Sequence, residues 1–170
     1  MARTDRAEVL VIGGGPAGAV LAARLARAGR EVVLLERSPV WRWRAGGVFS
    51  SPATVTALRR AGLDPAVLDT VTRPIPAMRV ETLGGTTFRL TYGADTGGDP
   101  AVGFDRSRLD PVLLDLARSA GAEVRLGATV TEADVASGRV VGHQGGERFE
   151  LRADVLVGAD GPRSIVAREA

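Results

Sequence analysis

Apolar positions in the first 36 residues follow the period of a strand, then of a helix, then of a second strand. Residues 8–12 form a short apolar run, rich in β-branched side chains, that ends in glycines. Residues 16–28 carry small and aliphatic side chains at helical spacing, and residues 31–35 form a second apolar run. The pattern predicts a βαβ unit in which the two strands are parallel and the crossover is right-handed.

Residues 51–71 carry the end signals of two short helices. Ser51 is of a type favoured at helix N-caps, and Pro52 suits the first helical turn. The first helix is predicted to end at Gly62, and residues 64–71 predict a second one.

Strand-like alternation appears between residues 74 and 105. Residues 77–83 and 86–92 alternate apolar and polar side chains on either side of a pair of glycines, which predicts a β-hairpin. A further strand is predicted at residues 101–104.

The last third of the chain predicts one amphipathic helix and a set of strands. Residues 107–120 place apolar side chains on one helical face, and residues 123–126 predict the next strand. Residues 129–153 predict a meander of three short antiparallel strands. Residues 154–157 then predict a return to the buried, parallel type of strand.

Composition limits the class of protein. With 170 residues, 45% of them hydrophobic, the chain can build one globular domain with an ordinary core. All 22 basic residues are Arg, but 20 acidic residues nearly balance them and no basic run occurs, which argues against nucleic-acid binding. The absence of cysteine excludes disulfides, thiolate metal sites and a Cys nucleophile, and no metal site is predicted.

No targeting or spanning segment is predicted. Residues 1–8 carry charges of both signs, and glycines, Pro16 and two arginines interrupt the apolar stretch of residues 9–28. We therefore expect a cytoplasmic protein without stable membrane insertion.

The glycines after the first strand fit the pattern G-x-G-x-x-G between a strand and a helix. Gly13 permits a tight turn, Gly15 lets a pyrophosphate approach the backbone, and Gly18 lets helix and strand pack closely. Pro16 and Ala17 open the helix, whose N-terminus offers free N–H groups and the positive end of a dipole. A glycine-rich turn without a ligand is the alternative.

An acidic residue follows at the end of the second strand. Glu36 lies 23 residues after Gly13, where a carboxylate can accept hydrogen bonds from the ribose hydroxyls of an adenine dinucleotide. Its charge would repel a 2′-phosphate, so FAD or NAD is favoured over NADP. Arg37, directly after it, is the one nearby feature that favours a phosphate, and a solvated glutamate is the alternative.

Three further segments make the chain resemble a known group. Residues 42–46, Arg-Trp-Arg-Ala-Gly, resemble an R-x-R-A-G segment, and residues 106–110, Arg-Ser-Arg-Leu-Asp, resemble the start of R-x-x-[FL]-D-x-x-L. Residues 158–164 resemble a D-G-x-x-S fingerprint. With the glycine turn, this order of motifs is similar to that of the flavoprotein monooxygenase superfamily that includes p-hydroxybenzoate hydroxylase and the geranylgeranyl reductases.

The resemblance implies further contacts with FAD. Arg42 and Arg44 would help to hold the flavin phosphates and line the flavin's path, and Arg106 stands in the arginine position of its motif. Asp160 and Gly161 would serve FAD and nicotinamide binding. Val130, in the predicted meander, completes the cofactor-binding candidates. No residue is assigned a catalytic role.

The resemblance also implies the function. It predicts a FAD-binding oxidoreductase of the flavin monooxygenase or alkene reductase type, with NADH or NADPH as a transient reductant and a small-molecule substrate in an intact relative. One alternative is a non-catalytic nucleotide-binding fragment, or half of a flavoprotein completed by another chain. Another is an NAD-binding dehydrogenase domain, which would explain neither Arg106 nor the Asp160-Gly161 segment.

The expected fold class is α/β. It comprises a Rossmann-like FAD-binding domain with a parallel sheet, a three-stranded antiparallel meander and a partial substrate-domain β-hairpin. Residues 1–170 are expected to be a FAD-binding domain that is truncated at its C-terminus, with residues 74–105 as the inserted partial sheet. We expect an exposed apolar surface there, with several of its side chains substantially exposed, and in consequence aggregation, dimerisation through that sheet or dependence on a second chain. The side chains of this surface are Met78, Val80, Phe88, Leu90 and Phe104.

Overall fold

The computed structural model describes residues 6–40, 49–93 and 98–169. The strands are β1 (Arg6–Ile12), β2 (Val32–Glu36), β3 (Phe49–Ser50), β4 (Thr72–Ile75), β5 (Ala77–Glu81), β6 (Thr87–Thr91), β7 (Ala101–Phe104), β8 (Glu123–Leu126), β9 (Ala128–Asp134), β10 (Arg139–Gln144) and β11 (Glu147–Gly158). The helices are α1 (Pro16–Arg27), α2 (Pro52–Arg60), α3 (Pro65–Val71), α4 (Arg106–Ser119) and α5 (Val166–Glu169).

The chain divides into two compact units, and the division falls inside α4, between Leu109 and Asp110. The first unit holds β1, α1, β2 and the elements from β8 to α5. The second holds β3 to β7 with α2 and α3. The hairpin predicted as an insertion belongs to the second unit.

The first unit contains a six-stranded sheet in the order β8-β2-β1-β11-β10-β9. The strands β8, β2, β1 and β11 are parallel, and β10 and β9 continue the sheet in antiparallel pairing. The expected α/β class is confirmed, because the first βαβ unit, the third parallel strand and the meander all form. The order also brings the carboxyl ends of β1, β2 and β11 to one edge of the sheet.

Alternate residues of the central strands face two separate cores. On one face, Val9, Val11 and Leu34 pack with small residues of α1 and with Ala117 of α4. On the other face, Leu10 and Leu35 pack with side chains of the meander and of α5. Central strands buried on both faces explain why their apolar runs are continuous rather than alternating.

The last strand differs from the prediction. Instead of two strands, β11 runs unbroken for 12 residues, pairing first with β10 and then with β1. No glycine or proline interrupts it, so the chain has no local reason to break. The predicted burial of residues 154–157 is wrong: Asp154 and Val155 are exposed, Val155 to 51%, and Leu156 and Val157 are half-buried.

The second unit contains two small sheets. One has the order β3-β7-β4, and the other is the hairpin β5-β6, with both hairpin strands where the sequence predicts them. The predicted strand β7 forms, but it pairs with β3 and β4, which the sequence pattern did not predict. At α2, Ser51 takes the N-cap position without a side-chain cap, whereas the Asp64 carboxylate caps α3 by accepting from Ala66 N–H at 2.7 Å.

The apolar face of the hairpin is largely exposed. Met78, Phe88 and Leu90 have exposed fractions of 41%, 45% and 42%, so the predicted exposure is confirmed for these three. Val80 and Phe104 are half-buried, so the other three side chains account for the predicted exposure. In the described part of the chain no helix is long and apolar enough to cross a membrane.

We expect the exposed hairpin face to cause self-association of the 170-residue chain. Replacing Phe88 and Leu90 together by serine should shift the molecule toward the monomer, because an exposed apolar strand pair favours association. Light scattering over a range of concentrations measures the change. The control is a matched pair on the polar face, Thr87→Ala with Thr91→Ala, which should leave the ratio of monomer to larger species unchanged. If the serine pair also leaves that ratio unchanged, the hairpin face does not cause the association.

Candidate cofactor site

The turn between β1 and α1 is fixed at its first glycine. Gly13 has a φ of +107°, and its N–H donates to the Leu35 carbonyl oxygen at 2.8 Å. A Cβ atom there would lie 2.4 Å from the Ala159 carbonyl oxygen. Both the backbone conformation and the close approach of the chain after β11 therefore require glycine at this position.

Gly18 has the packing role that the sequence predicts. A Cβ atom on it would lie 2.0 Å from the Gly13 carbonyl oxygen, which is too close for any side chain. This contact holds the first turn of α1 against the end of β1.

Gly15 is different from both. It has φ −68° and ψ 177°, an extended conformation open to any residue, and a Cβ atom built on it would meet nothing within 4 Å. Neither strain nor packing within the described residues explains a glycine there. An open position at this point leaves room for a ligand beside the backbone.

The N-terminus of α1 offers donors to that open space. Among the described residues, no acceptor binds the backbone N–H groups of Gly15, Ala17 and Gly18, and Pro16, at the first helical position, has none to offer. Ala17 is exposed, and Gly15 and Pro16 are half-buried. Free N–H groups at the positive end of a helix dipole are suited to an anion such as a pyrophosphate.

Glu36 is buried at the end of β2, with 6% of its surface exposed. Its Oε2 atom accepts from Gly14 N–H at 2.7 Å, and its Oε1 atom accepts from Ser38 N–H at 2.9 Å. The carboxylate thus joins the glycine turn to the chain that follows β2. Arg37 is exposed.

Gly14 is the site residue that sequence reasoning missed. A Cβ atom on it would lie 2.8 Å from Glu36 Cβ and 3.1 Å from Leu114 Cδ2, so the middle glycine lets the carboxylate approach. The dinucleotide pattern leaves that position open, and only the distant contacts show its role.

The Asp160-Gly161 loop lies beside the glycine turn. It follows β11, the strand parallel to β1, and Ala159 N–H donates to the Ile12 carbonyl oxygen at 2.7 Å. A Cβ atom on Gly13 would come within 2.7 Å of Asp160 Cα. The prediction that this loop and the glycine turn share one edge of the sheet is therefore confirmed.

Asp160 holds its own loop and has acceptor capacity left. Its Oδ2 atom accepts from Ile165 N–H at 2.8 Å, while its Oδ1 atom is buried without a donor among the described residues. A buried acceptor without a donor costs free energy. Gly161 has a φ of +89° and open space at its Cβ position, so the turn itself requires glycine.

The remaining candidates are less directly placed. Val130 is half-buried and packs against the core cluster beneath the meander. Arg106 begins α4 in the second unit. The residue before it, Asp105, accepts hydrogen bonds from the hydroxyl and the N–H of Ser107. These bonds lower the pKa of the Asp105 carboxyl group. Arg42 and Arg44 lie outside the described residues.

The first unit therefore carries the parts that an adenine dinucleotide needs. Counting the described residues alone, it has an open backbone position, free N–H groups, a buried carboxylate at the end of the second strand and an unpaired acceptor in the neighbouring loop. No group of three or more histidine or carboxylate side chains that could hold a metal ion occurs in the described ranges. These residues fit a dinucleotide such as FAD.

Comparison with known proteins agrees with this geometry. A menaquinone reductase of Mycolicibacterium smegmatis is 33% identical over 172 residues, covering 96% of this chain and 39% of that protein. A protein described as uncharacterized, in the nifH2 5′ region of Methanosarcina barkeri, is 28% identical over 95% of this chain and 86% of its own length. The solved structure of CmlS, a flavin-dependent halogenase, superposes with a TM-score of 0.82 at 28% identity, covering 98% of this chain and 31% of that one.

The chain thus spans about two fifths or less of the reductase and the halogenase, and most of the M. barkeri protein. The family model described as "FAD binding domain" matches residues 6–170. Similar proteins also include a tetracenomycin B2 monooxygenase-dioxygenase of Streptomyces olivaceus and a digeranylgeranylglycerophospholipid reductase of Methanosarcina mazei, each 30% identical to this chain. The match over nearly the whole chain, on this fold and this glycine turn, shows that the chain belongs to the FAD-binding domain family.

Proposed function

We propose that the first unit binds FAD, with its pyrophosphate against the glycine turn and the N-terminus of α1 and its adenosine ribose on Glu36. Gly15 is the observation that carries the proposal, because its backbone and surroundings leave the position open to any side chain and yet it is glycine. An approaching pyrophosphate supplies the missing reason. In this arrangement Asp160 offers its unpaired Oδ1 atom to a donor of the cofactor.

The proposed activity is that of an NAD(P)H-dependent flavin monooxygenase or alkene reductase. Bound FAD would take reducing equivalents from the nicotinamide and pass them to oxygen or to a carbon–carbon double bond. Residues of this chain would bind and orient the cofactor. The names of similar proteins, among them a menaquinone reductase and a tetracenomycin B2 monooxygenase-dioxygenase, support a reductase or a monooxygenase as the activity of the whole protein. We place that protein in the cytoplasm.

A nucleotide-binding module without turnover is the second candidate. Its support is that the residues described above are binding residues and none of them is assigned a catalytic role. Both candidates bind flavin, so the first measurement is the visible absorbance of protein purified with added FAD, which should show one flavin per chain. Consumption of NADH or NADPH by that complex then favours the oxidoreductase, and flavin binding without consumption favours the module. A chain that binds NAD and no flavin would contradict both.

Glu36→Ala should weaken FAD binding by about 1.5–3 kcal/mol, the range for a hydrogen bond to a charged group. The substitution removes the acceptor proposed for the ribose hydroxyls. Titration with FAD, followed by flavin fluorescence, measures the change. Glu31→Ala, at an exposed position before β2, is the control and should bind FAD normally. A loss of less than about threefold for Glu36→Ala would count against the ribose role.

A further inference from the structure

The Glu36 carboxylate already accepts hydrogen bonds within the protein. Both of its oxygens accept backbone N–H groups, from Gly14 at 2.7 Å and from Ser38 at 2.9 Å. A carboxylate has about four acceptor positions, so two bonds from backbone N–H groups are compatible with a further bond from a ligand.

The bond to Gly14 is the more consequential of the two. It is buried, and it joins residues 22 positions apart, at the ends of two neighbouring parallel strands. The Gly14 N–H belongs to the peptide between Gly13 and Gly14, so this bond fixes the plane of the peptide directly before the step from Gly14 to the open position at Gly15. No other acceptor for that N–H is present among the described residues.

We propose that Glu36 is a positioning residue for the phosphate turn as well as the ribose acceptor. Through Gly14 it holds the turn in its ligand-binding shape in the absence of FAD, so that ribose and phosphate recognition are coupled. The ligand identities rest on the proposed function, but the hold on Gly14 does not. A turn ordered in advance loses less conformational entropy when the ligand arrives.

The negative charge of Glu36 has the opposite effect on the affinity for pyrophosphate. A carboxylate beside a bound pyrophosphate repels it, so removing the charge of Glu36 should by itself strengthen pyrophosphate binding. Glu36→Gln and Glu36→Leu both remove the charge at similar side-chain volume. Only glutamine keeps an acceptor oxygen. We expect the glutamine side-chain oxygen to accept from Gly14 N–H rather than from Ser38 N–H. The bond to Gly14 is buried, and without it the Gly14 N–H would be left unpaired.

The first measurement is amide hydrogen exchange at Gly14 in the cofactor-free protein, observed by NMR. Glu36→Leu should raise the exchange rate at least about tenfold, and Glu36→Gln should retain most of the protection. The amides of Leu10 and Leu34, in the core of β1 and β2, show whether the sheet remains intact. Glu8→Leu is the matched control, because Glu8 accepts from Glu31 N–H at the opposite ends of the same two strands; it should leave Gly14 unchanged.

The second measurement is the affinity for inorganic pyrophosphate, which has no ribose, by NMR titration. The glutamine variant should bind it at least about threefold more tightly than the leucine variant. Equal Gly14 exchange in wild type and Glu36→Leu, or equal pyrophosphate affinities in the two variants, would overturn the proposal. If the wild type binds neither FAD nor pyrophosphate, the proposed function fails, and Gly14 exchange still decides whether Glu36 holds the turn.

Discussion

Gly15→Val should reduce FAD affinity at least about 100-fold, equivalent to about 2.8 kcal/mol, while the chain still folds. The new side chain projects into space that no described residue occupies, at the point where the pyrophosphate would meet the backbone. It also stands beside the free N–H groups of the first turn of α1. Binding is therefore lost for steric reasons, and the strand and helix on either side keep their contacts.

The measurement pairs FAD titration with chemical denaturation of the cofactor-free protein. Valine at an N-cap costs about 1 kcal/mol relative to glycine, whereas threonine has nearly the same capping preference as glycine and nearly the same shape as valine. Gly15→Thr should therefore lose FAD binding with a free energy of unfolding within about 0.5 kcal/mol of wild type. Normal FAD affinity in the threonine variant would remove the pyrophosphate from this turn.

Gly84→Val is the control for adding a valine to an exposed turn. Gly84 has no left-handed φ, and the nearest atom to its Cβ position is Thr82 Oγ1, at 3.9 Å. It lies in the hairpin of the second unit, so FAD affinity should not change. A loss of affinity in this variant would show that the assay responds to general perturbation.

The central architecture could be predicted because its signals are local. The period of the apolar runs defines β1, α1 and β2, and the spacing of Gly13, Gly18 and Glu36 places a turn and an acceptor at the ends of parallel strands. The Asp160 loop was predictable for the same reason, since the carboxyl ends of neighbouring parallel strands share one edge.

The parts that were not predicted depend on contacts between distant residues. Gly14 has no local feature that separates it from its neighbours, and its role arises from Glu36 and Leu114. The strands β3 and β4 span two and four residues, too short for a period to appear, and β4 contains Pro74. The sequence predicts two strands in place of β11 because alternating apolar and polar side chains give way to a continuous apolar run at residues 155–157, although the backbone pairing does not stop.

Gly18→Ala should lower the free energy of unfolding by about 2 kcal/mol or more, with or without FAD. A methyl group at this position would lie 2.0 Å from the Gly13 carbonyl oxygen and 3.2 Å from Ala159 Cβ. The first contact is with backbone, so no side-chain rotation relieves it, and α1 must move away from the end of β1. Overpacking of this kind costs about 3 kcal/mol, and the gain in helix propensity from glycine to alanine offsets about 1 kcal/mol.

Thermal unfolding of the cofactor-free protein measures this loss, which corresponds to a fall in Tm of about 4–8 °C for a chain of this size. Gly84→Ala is the control, because its methyl group meets no close atom, and its Tm should match wild type. The two glycines of the motif can then be distinguished by what their substitution changes. Substitution of Gly18 lowers the stability of the cofactor-free protein, and substitution of Gly15 lowers its affinity for the cofactor. A Gly18→Ala variant with the Tm of wild type would mean that α1 does not need this close contact, and the packing role assigned to the third glycine would be wrong.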